Sequence, residues 1–190
     1  MIVVVDYDPA WPQRFEVLRA EYAQAADAAC LRVIAIEHVG STSVPALAAK
    51  PLIDCDIVVS EGDVTAARSV LVDMGFTSLG ELGIPLRWAF APPARLVGTN
   101  TYVTVDGCLS LRNHIAVRDT LRANPELRDE YAAVKKRLAA SAANMDEYGQ
   151  GKDAMVHKIL AQAGFSDAER ASIKANQMPP HDDPSRSRRR

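Results

Sequence analysis

Two aspartates spaced two positions apart are the residues of this 190-residue chain whose type and spacing best fit catalytic chemistry. Asp54 and Asp56 lie in segment 53–59, whose apolar alternation predicts a strand. Both carboxylates then share one face, roughly 7 Å apart at about 3.3 Å per residue. The two negative carboxylates repel each other unless a divalent cation binds between them. Mg²⁺ takes both carboxylate and substrate phosphate oxygens as ligands. We therefore predict that Asp54 and Asp56 bind Mg²⁺ and are catalytic, as in phosphoryl or nucleotidyl transfer.

The turn before this strand adds a predicted phosphate-binding element. Gly40, Ser41 and Thr42 follow segment 32–39, which is rich in branched residues and is predicted to be a strand. Backbone N–H groups of such a turn can hold a phosphate, and the two hydroxyls add donors. Asp-x-Asp spacing alone is more often an ordinary strand with two exposed acids. The glycine turn that follows the preceding strand favours a metal and phosphate site over this alternative.

Two basic residues flank the turn. His38 directly precedes the glycine, and we predict that it shuttles a proton in the site. The alternative is a histidine at a strand end that is hydrogen-bonded to backbone. Lys50 lies between the turn and the acids and is predicted to contact a phosphate. A lysine attracted to the negative end of a short helix explains that position equally well.

The elements that position these residues form a sheet followed by helices. Strands are predicted at 32–39, 53–59, 76–79, 86–90 and 100–105, with a strand or extended lead-in at 1–5. Helices are predicted at 9–29 (with Asp8 as N-cap and Pro9 first), 65–74, 109–123, 126–143 and 153–163, with one turn at 44–50 and a short last helix opened by a capping box at 166–169. This layout is α+β in one domain over about 1–175, with the mixed sheet in about 1–106 and the helical part in about 107–175.

Composition narrows the class of protein. The net charge of -2 indicates neither nucleic acid nor membrane as a partner, and 48% hydrophobic residues suffice for one core. Four of the last five residues are arginines, and 176–190 is predicted to be a disordered basic tail. The three cysteines form no Cys-x-x-Cys pair, and no segment has the length of a signal peptide or a membrane span. We expect a cytoplasmic protein with reduced thiols.

The motif also resembles known families. Gly40-Ser41, twelve further residues and then Asp54-Cys55-Asp56 resemble the signature of the nucleotidyltransferase superfamily. Segment 38–54, HVGSTSVPALAAKPLID, closely resembles the GrpB family, and the resemblance extends over roughly residues 4–164 through segments 7–11, 83–87, 112–119 and 151–152. The resemblance implies a nucleotidyltransferase-like fold, a small mixed sheet flanked by helices with a helical C-terminal part. It also implies that the Gly-Ser turn holds a triphosphate and that the aspartates bind Mg²⁺.

Further site residues rest partly on this resemblance. Arg87 and Lys152 are predicted to contact phosphate, against the alternatives of a surface salt bridge and a solvated lysine. His114 and Arg118 lie four residues apart on one predicted helix and therefore share a face. Together with Tyr102, they are predicted to bind the acceptor.

One departure from the superfamily pattern concerns a third carboxylate. Catalytic members usually carry it on a later strand, whereas segment 100–105 holds no acid. Tyr102 stands there instead, and a tyrosine with an ordinary pKa of about 10 is a poor base at neutral pH. Asp106 at the end of the strand is the candidate substitute.

The resulting hypothesis is a Mg²⁺-dependent nucleotidyltransferase that uses a nucleoside triphosphate (NTP) and an unknown small-molecule acceptor. His38, Asp106 or a group of the substrate would assist deprotonation. The alternative is a non-catalytic module that binds a nucleotide or a CoA-like ligand, since related domains occur fused to dephospho-CoA kinases. A protein-interaction scaffold is the third hypothesis.

Overall fold

The computed structural model describes residues 2–177 and has a five-stranded mixed sheet at its centre. The strands are β1 (Ala35–Val39), β2 (Ile53–Val59), β3 (Thr77–Gly80), β4 (Arg87–Ala91) and β5 (Thr99–Val105). Their order is β1-β2-β5-β4-β3, in which β2 and β5 are parallel and the other neighbours are antiparallel. The helices are α1 (Trp11–Ala28), α2 (Val64–Asp73), α3 (Leu109–Ala123), α4 (Pro125–Ser141), α5 (Met145–Gly151), α6 (Asp153–Gln162) and α7 (Asp167–Gln177). The predicted α+β class is confirmed.

Alternation along β2 separates the core from the predicted site. Ile53, Cys55 and Ile57 are buried and belong to one apolar cluster with side chains of α1 such as Phe15 and Leu18. The intervening residues of β2, which include both aspartates, face the other way. The sheet therefore buries one face against α1 and presents the acids on the opposite face.

The helices of the second half pack together around two further apolar clusters. One joins Leu121 of α3, Leu127 of α4 and Ile159 of α6 to Leu47, which follows the glycine turn. The other joins Leu160 of α6 to Ile173 of α7. These clusters hold α3, α4 and α6 close to the turn at the end of β1, so helical side chains distant in sequence reach the predicted phosphate site.

Several predicted boundaries are confirmed by cap contacts. The Asn124 side chain accepts a hydrogen bond from Leu127 N at 3.0 Å, so α3 ends and α4 begins where Asn-Pro predicts. The capping box is also present, because Ser166 N donates to Glu169 Oε2 at 2.9 Å and Glu169 N donates to Ser166 Oγ at 3.3 Å.

Other predictions for local structure are wrong. Helix α1 begins at Trp11 rather than residue 9, because the Asp8 carboxylate accepts from Ala10 N at 2.9 Å and forms a turn before the helix. Segment 44–50 is not helical. A 3₁₀ turn occupies Ser41–Ser43 instead, and Ala46 has φ +62°, which interrupts any helix. Of the two alternatives predicted for the N-terminal segment, the lead-in without a strand is observed, with an isolated bridge between Val5 and Ala49.

Two differences concern the C-terminal half. Helix α5, capped by Asn144 through a bond from Glu147 N at 2.9 Å, was not predicted. Residues 176 and 177 belong to α7 rather than to a tail, and the rest of the predicted basic tail lies outside the described residues. Within residues 2–177, every helix is too short or too polar to cross a lipid bilayer.

Candidate active site

Strand register places the acids in two rows across one face of the sheet. Asp56 lies opposite Glu37 of β1 and Tyr102 of β5, and Asp54 lies opposite Asn100 of β5. Directly opposed residues share a face, so these side chains point to the same side. The β5 residues beside the two aspartates therefore carry an amide (Asn100) and a phenol (Tyr102). The third acid of the face, Glu37, comes from β1.

Each aspartate has one oxygen held by a protein group. Asn100 Nδ2 donates to Asp54 Oδ1 at 2.7 Å, and His114 Nδ1 lies 2.7 Å from Asp56 Oδ2. Asp56 is fully buried, and its Oδ1 has no hydrogen-bond partner within residues 2–177. Among the contacts of these residues, no protein donor reaches Asp54 Oδ2 either. Two neighbouring carboxylates thus each offer one oxygen, which is the monodentate arrangement Mg²⁺ accepts when water and substrate complete its coordination.

Burial sets the electrostatics of this pair. Desolvation raises the pKa of Asp54, and the Asn100 hydrogen bond and the His114 charge oppose that rise. Desolvation lowers the pKa of His114, but the charge of Asp56 and the hydrogen bond to it prevail, so the net pKa is raised. The contact with Asp56 therefore favours the charged form of His114. His114 therefore fixes the orientation of Asp56.

Helix α3 brings Arg118 to the same face as His114, as predicted from their spacing. Arg118 Nη1 donates to Glu37 Oε2 at 2.6 Å and to His38 O at 3.1 Å, and Nε donates to Asp119 Oδ1 at 2.7 Å. Glu37 is thereby held in an ion pair. Accordingly, no three His, Cys, Asp or Glu side chains of residues 2–177 group into a metal site.

The glycine of the turn is required by its contact with Asp54. Gly40 has φ +69°, and a Cβ there would lie 2.1 Å from Asp54 Oδ2. Only a residue without a side chain permits that approach. Ser43 closes the turn, because its hydroxyl donates to Gly40 O at 2.6 Å. Ser41 lies at the start of the 3₁₀ turn, close to the Tyr131 hydroxyl, whose pKa it helps to lower against the larger rise caused by burial.

Thr42 does not present its hydroxyl to the site. It is 1% exposed, and its Oγ1 donates to Leu52 O at 2.9 Å. The predicted contact between Thr42 and a phosphate therefore has no support from this placement. The 3₁₀ turn rotates the side chain inward, where it links the turn to the segment before β2.

His38 lies on the opposite face from the aspartates. It is registered with Cys55, and its ring stacks on Phe15 with centroids 4.5 Å apart. His38 Nε2 lies 3.1 Å from Thr42 Oγ1, and since the Thr42 hydroxyl donates elsewhere, Nε2–H is the donor. Burial lowers the pKa of His38 to about 4. This neutral histidine belongs to the core, and its placement gives no support to the predicted catalytic role.

Three lysines on the other side of the turn form what we call the lysine cluster, Lys50, Lys135 and Lys152. Lys135 is 2% exposed and lies 4.6 Å from the centroid of the Tyr131 ring. Its Nζ has no hydrogen-bond partner within residues 2–177. Burial, followed by the charge of Lys152, lowers the pKa of Lys135 to about 7, and Asp54 opposes the shift. A buried ammonium group without a partner indicates a site for an anion.

The other two lysines converge on Tyr148. Lys152 Nζ lies 4.5 Å and Lys50 Nζ lies 5.7 Å from the centroid of that ring. Burial lowers the pKa of Lys152, Lys50 lowers it further, and Asp54 opposes both. Lys50 and Lys152 were predicted site residues, whereas Lys135 was missed. A signal existed, because Tyr-x-x-x-Lys occurs at 131–135 and again at 148–152.

Arg87 lies on the other side of the carboxylates from the lysine cluster. It is registered with Thr104, and its guanidinium carbon lies 4.7 Å from the centroid of Tyr102. Burial, and then the charge of Asp54, raise the pKa of Tyr102 to about 12, so the phenol is neutral. Asp106 is exposed beyond the end of β5. At about 3.3 Å per residue it is roughly 13 Å along the strand from Tyr102, too far to complete a site at the aspartates.

Comparisons with known proteins agree on one family. The family model described as "GrpB protein" matches residues 1–162. The chain is 33% identical to a UPF0157 protein of Halalkalibacterium halodurans over 165 residues, 85% of this chain and 82% of that protein. It is 38% identical to UPF0157 protein YqkA of Bacillus subtilis over 123 residues, and this match spans 64% of the chain but only 36% of YqkA.

Solved structures agree as well. The crystal structure of "conserved protein GrpB" from Enterococcus faecalis superposes with a TM-score of 0.74 at 32% identity, covering 85% of this chain and 96% of that one. The Cid1 poly(U) polymerase with MgGTP bound has a TM-score of 0.56 at 12% identity, covering 78% of this chain and 50% of that one. At that identity the likeness concerns the fold alone, and the fold is that of nucleotidyltransferases.

Proposed function

The chain belongs to the GrpB family, and we propose that it transfers a nucleotidyl group from a Mg²⁺-bound nucleoside triphosphate to a small-molecule acceptor. One observation carries the proposal. Asp54 and Asp56 each leave one oxygen without a protein donor among residues 2–177, and Asp54 lies directly beside the glycine turn. The unpaired buried Lys135 is near enough for the charge of Asp54 to oppose the lowering of its pKa. This arrangement supports binding of a cation together with a polyphosphate.

The residues present fit a magnesium ion. The buried Asp56 Oδ1 without a partner is costly unless a cation binds it, and the Asp54 pKa raised by burial has the same origin. Asp54 and Asp56 would hold the ion, while Asn100 and His114 fix the orientation of the two carboxylates from behind. When bound, Mg²⁺ would neutralise charge on the phosphate oxygens.

The lysine cluster and the turn would bind the triphosphate. Backbone N–H groups at Gly40 and Ser41 offer neutral donors, and the lysines offer positive charge on the same side of Asp54. Lys135 is the central member, because it is buried and unpaired within residues 2–177. A phosphate there would supply the anion that its buried ammonium group lacks, and would restore the pKa of Lys135 toward its ordinary value.

The proposed reaction is an in-line displacement. An acceptor oxygen bonds to the α-phosphorus, the bond to the β-phosphate breaks, and pyrophosphate leaves with that electron pair while the acceptor proton passes to solvent or substrate. The residues of the chain contribute by position and charge. The lysine cluster stabilises the leaving pyrophosphate, and the neutral Tyr102 and the protein-held Asp54 and Asp56 line the face where the acceptor approaches.

A non-catalytic binding module is the second candidate. The observation in its favour is that Asn100 and Tyr102 occupy the β5 positions beside the pair, while Glu37 is held by Arg118 at 2.6 Å. A phenol whose pKa is about 12 is not a base at neutral pH. The fold would then retain a nucleotide or a CoA-like ligand without turning it over.

Thermal unfolding with each of the four ribonucleoside triphosphates, with and without Mg²⁺, tests the proposal. A ligand at about 100 times its Kd stabilises the folded state by roughly 2.7 kcal/mol. We expect stabilisation that requires Mg²⁺ and is lost in Asp54→Asn, and pyrophosphate release in the presence of an acceptor panel. Asp106→Asn is the control, since Asp106 is an exposed acid just beyond the end of β5 and outside the pair, and it should behave as the wild type.

The outcomes separate the two candidates. Stabilisation that persists without Mg²⁺ and in Asp54→Asn, with no pyrophosphate released, favours the binding module. A wild-type protein whose melting temperature is changed neither by any nucleotide nor by CoA contradicts both.

A further inference from the structure

A small cavity opens beside His114 on the side of the site away from the lysine cluster. Its volume is about 70 Å³. It is lined by residues of the loop before β4, of β4, of α3 and of α7, among them Ile84, Arg87, Asn113, His114, Ile173 and Asn176. A water needs at least about 10–15 Å³ by this measure, so the cavity has room for roughly five to seven heavy atoms.

The cavity contains an arginine without an acidic partner. Within residues 2–177, no carboxylate forms a salt bridge with Arg87, and its buried Nε has no hydrogen-bond partner. Burial lowers the pKa of Arg87, and the neighbouring Tyr102, Asp56 and Cys108 oppose that shift only in part. The Tyr102 ring supports one face of the guanidinium. The planar fork is therefore held against the Tyr102 ring, and no carboxylate of residues 2–177 lies within salt-bridge distance of it.

A second unpaired group lies in the same cavity. Asn113 is 7% exposed, and its side-chain oxygen has no hydrogen-bond partner within residues 2–177. Buried amides are almost always paired, so a bound molecule that donates to Asn113 would remove a cost of about 1–3 kcal/mol. Among residues 2–177, therefore, no group supplies an anion to Arg87 or a donor to Asn113.

Register places this cavity on the acceptor side of the carboxylates. Arg87 pairs with Thr104, two residues along β5 from Tyr102, which pairs with Asp56. His114 lines the cavity and contacts Asp56 at 2.7 Å. A molecule in the cavity therefore lies next to Asp56, while the lysine cluster lies beyond Asp54.

Building on the proposed function, we propose that this cavity binds the acceptor, and that the acceptor is a small carboxylic acid with a hydroxyl beside the carboxylate. The carboxylate would pair with the fork of Arg87, which matches it in shape and charge. The neighbouring hydroxyl would donate to Asn113. A molecule of six heavy atoms such as lactate matches the available space.

A phosphate group fits the cavity less well. One guanidinium balances a single negative charge, and the nearby Asp56 carboxylate repels a dianion. Apolar side chains of Ile84, Leu109 and Ile173 form the rest of the wall, which suits the carbon skeleton of a small acid. Helix α7 contributes Ile173 although the family match ends at residue 162, so the closure of this cavity belongs to a part of the chain beyond that match.

Titration of the full chain with lactate, and separately with inorganic phosphate, tests the inference in the absence of nucleotide. The NMR signals of the Asn113 side-chain amide are the readout. We expect saturable shifts with lactate and at least about tenfold weaker binding in Arg87→Met, since about 1.4 kcal/mol corresponds to a factor of ten. Arg68→Met is the matched control. Arg68 also stacks on an aromatic ring, that of Trp88 at 5.9 Å, and also has an unpaired Nε, but on the other face of the sheet.

Three results would overturn the inference. These are an Asn113 signal that lactate does not move, equal lactate binding in Arg87→Met and wild type, and phosphate binding at least as tight as lactate. The proposed function is judged separately, by Mg²⁺-dependent stabilisation of the wild type with NTP. A protein that binds Mg-NTP but not lactate therefore refutes the acceptor class alone.

Discussion

Replacing Lys135 with methionine should make the protein more stable and its nucleotide binding weaker. Lys135 is 2% exposed, and burial lowers its pKa from 10.5 to about 7. At about 1.4 kcal/mol for each pH unit between those values, the lowered pKa corresponds to at most roughly 5 kcal/mol of destabilisation near neutral pH. Methionine is of similar length and needs no partner. Some stabilisation from the Tyr131 ring is lost, so we expect a net gain of about 1–4 kcal/mol.

The sign of the pH dependence follows from the same values. The unfolded chain keeps the extra proton up to pH 10.5, whereas the folded protein releases it near pH 7. Between these limits the unfolded state binds more protons, so the free energy of unfolding of the wild type rises with pH. In Lys135→Met that rise should be missing. The gain in stability is therefore largest at pH 7 and below, and it vanishes toward pH 10.5.

Urea unfolding at about pH 7 and about pH 9.5, with Mg-NTP binding measured in parallel, checks both effects. Binding should weaken by about 1.5–3 kcal/mol, the usual range for a hydrogen bond to a charged group. Lys136→Met is the control, because the next residue of α4 is exposed and pairs with Asp6 at 2.6 Å. Its stability should stay within about 0.5 kcal/mol of the wild type, with unchanged binding. A destabilised Lys135→Met protein, or one that binds Mg-NTP normally, would refute the reasoning.

Two further predictions concern the turn and the histidine beside it. Gly40→Ala should destabilise the fold by about 2–4 kcal/mol and remove the Mg-NTP response, because the added Cβ would lie 2.1 Å from Asp54 Oδ2. The control Gly80→Ala, at φ +76° with nothing within 4 Å of the added Cβ, should cost only about 1–2 kcal/mol of backbone strain. Equal effects in the two variants would contradict the proposed clash. The His38 pKa of about 4 lies below the ordinary 6.5, so its contribution to stability is present above pH 6.5 and is lost, by up to roughly 3 kcal/mol, as the pH falls to about 4. His38→Gln should flatten this part of the pH profile in urea unfolding while leaving Mg-NTP binding intact, and an unchanged slope would show that His38 is not its source.

The sequence by itself determined the features that depend on short spacing. Asp54 and Asp56 share a face because alternation along a strand repeats every two residues, whatever the strand pairs with. The turn at Gly40 and the break at Asn124-Pro125 also follow from local backbone chemistry. For the same reason His114 and Arg118 were correctly expected on one helix face.

Only the tertiary structure decided which of these groups meet. His38 faces the core because β1 pairs with β2 in a register that sets it against Cys55, and no local pattern fixes that register. Lys135 reaches the turn because α4 and α6 pack against residues nearly a hundred positions earlier.

The second side of the site also depends on distant pairing. Arg87 stacks on Tyr102 through the β4–β5 register, and α7 closes the cavity beside Asn113. Long-range packing of this kind is cooperative and is set by the whole core rather than by any segment. The aspartate pair could therefore be predicted from the sequence, whereas the lysine cluster and the cavity beside His114 could not.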